Sequence, residues 1–150
     1  TEAVVETLFD LAERFPDQPD PLLRASQVLA ASSHTPAQWG AVVEVRRQAA
    51  ERDPHNAMAW TETGRIALAH GDSKVARRLL EQAVAEEPLC ARALAGLAEL
   101  ARRRHDITAA TLYEQQIAQA AVFADEARGY AAWVLRPDGA ARAQPVAGEP

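Results

Sequence analysis

Apolar residues recur at helical spacing from the start of the chain. In residues 2 to 15, Val4, Val5, Leu8, Leu11, Ala12 and Phe15 are separated by threes and fours, the spacing that gathers side chains on one side of an α-helix. Pro16 ends this segment, and Asp17-Gln18-Pro19-Asp20-Pro21 reads as a rigid turn. A second helix is predicted from about Leu22 to Ala31. The third starts at Pro36, with Thr35 as its N-cap, and runs to about Arg52 before Asp53-Pro54. Asn56 caps a fourth helix that reaches Ala69. His70-Gly71-Asp72 is the reversal, with Gly71 in the left-handed position. Ser73 is expected to cap the fifth helix, which stops before Pro88. A sixth covers about Ala91 to Arg103, and His105-Asp106 makes the next turn. A seventh is predicted over about Thr108 to Ala121, and a short eighth over 126 to 135 with Tyr130, Trp133 and Val134 as its apolar side. Residues 136 to 150 contain Pro, Gly and Ala with little apolar bulk and read as a flexible tail or linker.

The helices repeat. Pro54 and Pro88 are 34 residues apart, and Gln48-Ala49 and Gln82-Ala83 keep the same 34-residue spacing. That period is the length of a tetratricopeptide unit. Trp60, Thr63-Gly64, Ala67, Gly71, Ala76, Leu80, Ala83 and Pro88 stand at the offsets of the family pattern, with Thr63 in place of the usual Leu and Ala67 in place of the usual Tyr. On these residues the chain resembles tetratricopeptide repeat proteins. The resemblance implies an all-α solenoid in which Gly64 and Ala76 are small because two helices cross there, while Trp60, Leu80 and Ala83 fill the space between helices. Residues 91 to 124 read as a second copy. An earlier copy covers about 19 to 56 if the turn at Ser33–Ala37 holds a four-residue insertion; Arg46 departs from its pattern. Three repeats are therefore expected within a solenoid spanning 1 to 135, with 2 to 15 and 126 to 135 as capping helices.

Composition narrows the function. Hydrophobic residues make up 48% of the 150 residues and aromatics only 5%, so the core is expected to be Ala, Leu and Val. The formal net charge of −5 argues against a general nucleic-acid surface. Cys90 is the single cysteine, which excludes an intramolecular disulfide. No apolar run approaches the roughly 20 residues of a membrane span. The chain begins at Thr1, which suggests a processed form or an excised piece; a cytoplasmic location is expected, or a periplasmic one if a signal peptide has been removed.

Candidate chemistry is sparse. His34, His55, His70 and His105 fall in predicted turns without metal-ligand spacing, and Cys90 has no catalytic partner at a recognisable spacing. Gly-rich phosphate loops and nucleophile elbows are absent, so no catalytic residue, metal or cofactor is expected. The run Arg102-Arg103-Arg104-His105 reads as a solvated helix end whose cations complement the helix dipole. Trp39, Trp60 and Trp133 are expected in core or cap positions.

What the resemblance implies is a concave groove lined by the first helix of each repeat. By position it would present Leu23, Gln27 and Ala30 from the first repeat. Met58, Thr61, Glu62, Arg65 and Ala69 would follow from the second, and Arg92, Ala95, Glu99, Arg102 and Arg103 from the third. The groove positions that clamp a C-terminal carboxylate in one subtype hold Gln27, Thr61 and Arg65 here, which speaks against chaperone-tail binding. Arg65, Arg92, Arg102 and Arg103 favour an acidic segment instead. The expected function is a protein-interaction scaffold or adaptor that binds a peptide or protein partner, without nucleic acid and without membrane insertion. Two alternatives remain: a non-catalytic module of a larger enzyme such as a transferase, and a solenoid that forms homo-oligomers through its C-terminal helix.

Overall fold

The computed structural model describes residues 2 to 134, with side chains as far as Gly129. Among the described residues the chain is all-helical: α1 (Glu2–Arg14), α2 (Asp20–Ala31), α3 (Pro36–Arg52), α4 (Ala57–Ala69), α5 (Ser73–Glu86), α6 (Ala91–Arg103) and α7 (Ile107–Val134). It divides into two compact units after Ala120, and the helix pairs described below lie in the first.

Local chemistry sets the helix boundaries. Thr35 and Gln38 form a full capping box at the start of α3, each side chain meeting the other residue's backbone N–H. Asn56 caps α4 by accepting from the Ala59 amide at 3.2 Å. Gly71 has φ of +93°, a conformation that glycine adopts without the steric cost of a Cβ.

Three expectations need correction. Asp72, not Ser73, caps α5, accepting from the Val75 amide at 3.1 Å; the carboxylate one residue earlier has the reach and the charge for a helix N-terminus. The four extra residues of the first repeat do not swell its turn. The turn Ser32–Thr35 is one residue longer than His70–Asp72, and α3 takes up the rest, with 17 residues against 14 in α5. The predicted seventh helix and the eighth at 126 to 135 are one helix as far as Val134, because no proline or capping residue interrupts Ala121-Val122-Phe123-Ala124. Residues 135 to 150, the expected tail, lie outside the described residues.

Helices pack in antiparallel pairs, α2 with α3 and α4 with α5, and α3 and α5 each also contact the first helix of the following pair. One core cluster joins α4, α5 and α6 through Trp60, Ala67, Ala76, Leu80, Ala83 and Leu97. Another joins α1, α2 and α3 through Ala12, Leu22, Ala25, Val45 and Ala49. Leu80 is the knob of the larger cluster. It is fully buried, and a Cβ added at Gly64 or at Gly96 would come within 2.8 or 2.7 Å of it. Two helices approach α5 closely at one side chain because both present glycine there. Trp60 is a core residue as expected, and its Nε1–H donates to the Pro54 carbonyl at 2.8 Å.

Polar contacts tie the helix ends together. The Arg52 guanidinium, at the end of α3, donates from Nη1 to the carbonyls of Ala12, Phe15 and Gln18 at 3.0, 3.2 and 3.0 Å. A cation therefore sits at the C-terminal end of α1, bridging the Ala12 carbonyl of its last turn to carbonyls of the turn that follows. Arg46, the departure from the repeat pattern, brings Nη1 to 3.5 Å from Ser26 Oγ.

Candidate interaction surfaces

On α4 the residues Met58, Glu62, Arg65 and Ala69 follow one another at separations of four, three and four, and on α6 Arg92, Gly96, Glu99 and Arg103 do the same. Each set therefore shares a helix face. α4 and α6 lie side by side, and between them Arg65, Leu68, Ala69, Ala95, Glu99 and Arg103 line a recess of about 270 Å³. A carboxylate of Glu62 meets Arg92 across the two helices at 3.0 Å. Arg103 binds Glu99 at 3.0 Å and reaches the Leu68 carbonyl at 3.4 Å. Arg65 has no carboxylate within ion-pair distance among the described residues. Met58 stands exposed at the N-terminal end of the same face. The surface offers alternating charges over an apolar floor of Leu68, Ala69 and Ala95.

The residues expected in the groove divide accordingly. Met58, Glu62, Arg65, Arg92 and Glu99 come together. Thr61 does not. It is fully buried, donates to the Ala57 carbonyl at 2.8 Å and lies 3.4 Å from Cys90 Sγ. One residue off the row of Met58 and Glu62 means about 100° around the helix, which turns Thr61 into the core. Arg102 is one residue off Arg103, and its guanidinium pairs with Glu114 of α7 while also lying 3.9 Å from a Glu99 carboxylate oxygen. Leu23 is half-buried against the α1–α3 core and Gln27 is exposed, but α2 makes no contact with α4. Two of the four arginines expected to draw an acidic ligand, Arg92 and Arg102, already face carboxylates of other helices.

A second surface escaped the sequence reading. The extra turn of α3 overhangs the α4–α5 reversal, and a cleft of about 540 Å³ lies between them, lined by Trp39, Gly40, Val43, His70, Val75 and Arg78 among others. The Trp39 indole, expected in a core or cap position, is half-buried at the rim and stacks on the His70 ring, with centroids 3.6 Å apart and planes 9° from parallel. Gly40 lies inside a helix, where glycine costs about 0.5–1 kcal/mol relative to alanine, yet among the described residues nothing beyond its chain neighbours and its own helix backbone comes within 4 Å of where its Cβ would be. That mid-helix glycine beside a tryptophan was the available signal.

Other candidate groups take no part in these surfaces. Cys90 is buried in the core behind Thr61. His55 Nδ1 lies 3.0 Å from a Glu86 carboxylate oxygen, and that hydrogen bond, with the attraction of the same carboxylate, raises the His55 pKa above its ordinary value. Among the described residues no group of three or more His, Cys, Asp or Glu side chains could hold a metal ion, and no helix is long and apolar enough to cross a membrane.

Residues 61 to 124 match the family model for the tetratricopeptide repeat. Two solved structures share the fold. One is the MamA RS-1 ArsTM double mutant, at 23% identity and a TM-score of 0.61, over 79% of this chain and 65% of that one. The other is MamA, at 12% identity and a TM-score of 0.56, over 81% of this chain and 89% of that one. This chain thus spans just under two thirds of the first of them. At these identities the likeness is one of fold. No curated protein matches the chain.

Proposed function

From the match of residues 61 to 124 to the tetratricopeptide repeat family we propose that the chain is a non-catalytic scaffold of that kind, which binds a peptide segment of a partner protein along the face shared by α4 and α6. The observation that carries this reading is the row of exposed or half-exposed side chains Met58, Glu62, Arg65, Glu99 and Arg103 around the recess. A solenoid holds such a face rigid, so little order is lost on binding. The charges alternate, which suits a segment with both an apolar anchor and a carboxylate aimed at Arg65.

The test is site-specific photocrosslinking. A photoreactive side chain at Arg65 is expected to capture a protein that the same group at Arg77, on α5, does not. Adding Met58→Asp and Glu99→Lys should abolish the capture with helical circular dichroism unchanged. Equal capture from both positions, or capture that survives both changes, would refute the assignment.

A second reading is self-association through the far part of α7. It rests on Val122 and Phe123, which are large, apolar and exposed; Tyr130 and Trp133 lie where side chains are not described. Light scattering of the full chain and of a chain ended at Ala120 tests it. An equal number of protomers per particle in the two would rule it out.

A further inference from the structure

The cleft beside Trp39 recurs one repeat later with different chemistry. Counted 34 residues on, Trp39, Gly40, Val43 and His70 become Ser73, Lys74, Arg77 and Arg104. The register holds in space. Gly71 and His105 both have positive φ, and Asp72 and Asp106 each accept from the amide three residues on. Where the first position has an aromatic cleft, the second has a recess of about 220 Å³ lined by Ser73, Lys74, Arg77, Leu100, Arg103 and Arg104. Four cations and no carboxylate line it, in a chain whose formal net charge is −5.

Local structure accounts for only two of these cations. Arg103 and Arg104 stand at the C-terminus of α6, where positive charge complements the helix dipole. Lys74 stands in the first turn of α5, at the positive end of that helix's dipole, and the turn has no acidic residue. Arg77 follows it at a separation of three, so two like charges share one helix face. Asp72, just before this turn, spends its carboxylate on the Val75 amide, which leaves the Ser73 hydroxyl as a further donor in the recess. Arg77 and Arg103 each have one carboxylate nearby, Glu81 at 3.7 Å and Glu99 at 3.0 Å. Lys74 and Arg104 have none within ion-pair distance among the described residues. Repeat packing does not demand the charges either, since the matching positions one repeat earlier are Gly40 and His70. Such a convergence is unfavourable for the chain alone and favourable once an anion sits within it.

We propose that this recess binds the phosphate of a phosphorylated serine or threonine side chain on a partner protein. The guanidiniums offer planar forks that match phosphate oxygens, and Lys74 adds a compact charge. Leu100, buried beneath, gives the side-chain stem an apolar contact that a bare ion cannot use. A row of phosphates from a nucleic acid or a lipid surface fits poorly, because Glu81 and Glu99 stand beside the cations and the chain as a whole is acidic. Arg103 borders the recess between α4 and α6 as well, so the test rests on Lys74 and Arg104, and the inference stands whether or not a segment binds that other face. A photoreactive group at Arg77 removes one of the four cations, so that position keeps its use as the control for the α4–α6 face.

The probe is N-acetyl-phosphoserine N-methylamide, titrated at fixed ionic strength into the ¹⁵N-labelled full chain. It should give saturable shifts at the amides of Ser73, Lys74, Arg77, Arg103 and Arg104. Lys74→Gln and Arg104→Gln together should weaken it by about tenfold or more, with helical circular dichroism retained, while Arg65→Gln should bind it as the parent does. The glutamate analogue, which carries a single carboxylate, and inorganic phosphate, which lacks the stem, should each bind more weakly than the probe. Equal affinity for the phosphoserine and glutamate analogues would reduce the recess to an attractor of any anion and overturn the proposal. So would inorganic phosphate that binds as tightly as the probe, or displacement of the probe by duplex DNA or phosphatidylserine vesicles at matched phosphate. The absence of saturable shifts, or a folded Lys74→Gln, Arg104→Gln chain that binds undiminished, would overturn it as well.

Discussion

Replacing Gly64 with alanine tests the crossing at the centre of the fold, because the sign of its effect depends on one neighbour. The new Cβ would lie 2.8 Å from Leu80 Cγ, 2.9 Å from Leu80 Cδ2 and 3.3 Å from Leu79 Cβ. Cγ is not the free end of the side chain, so relief requires moving the whole of Leu80, and on its other side Gly96 is near enough that a Cβ added there would come within 2.7 Å of Cδ1. Overpacking of this kind costs about 1–3 kcal/mol. Against it stands the helical preference of alanine over glycine, about 1 kcal/mol. Gly64→Ala is therefore expected to destabilise by up to about 2 kcal/mol. In a Leu80→Ala background, itself about 2–5 kcal/mol less stable, the two nearest obstructing atoms are gone and only Leu79 Cβ at 3.3 Å remains. Gly64→Ala should there be stabilising by up to about 1 kcal/mol. Urea denaturation followed by far-ultraviolet circular dichroism on the four proteins of the cycle gives the coupling directly. If Gly64→Ala costs the same with and without Leu80, the close approach does not explain the glycine.

Other expectations follow from single contacts. Arg52→Ala should cost about 1–3 kcal/mol, as expected for hydrogen bonds from a charged donor, since three carbonyls at the end of α1 lose that donor; hydrogen exchange in α1 should rise, and a loss below about 0.5 kcal/mol would reduce the contact to a surface ornament. The His55 pKa is raised by its hydrogen bond to Glu86, so its stabilising effect is full below the unfolded pKa of about 6.5. It should fade as pH rises through the higher folded value. An NMR titration should place His55 above 6.5, and Glu86→Gln should bring it back down. Cys90 is buried against Thr61, so a thiol reagent should label it at the rate of unfolding, with fast labelling in native buffer contradicting its place in the core.

Period, caps and breakers determined the helices. Pro54, Pro88 and Gly71 act on their own backbone within a few residues, and their effects are legible without a fold. The identity of Leu80, Gly64 and Trp60 as core was equally legible, since a 34-residue repeat assigns each position one environment. What belonged to the tertiary structure was orientation. Thr61 and Arg102 each sit one residue from a groove position, and one residue is about 100° of rotation, enough to bury the first and aim the second at Glu114. The extra residues of the first repeat looked like a longer turn, but they lengthen α3 and bring Trp39 over His70, a contact between residues 31 positions apart. The outer face of α1 is the clearest case. Its sequence shows an apolar stripe, and only the structure shows that Val4 and Leu11 stay exposed where the matching Val42 and Ala49 of α3 are buried.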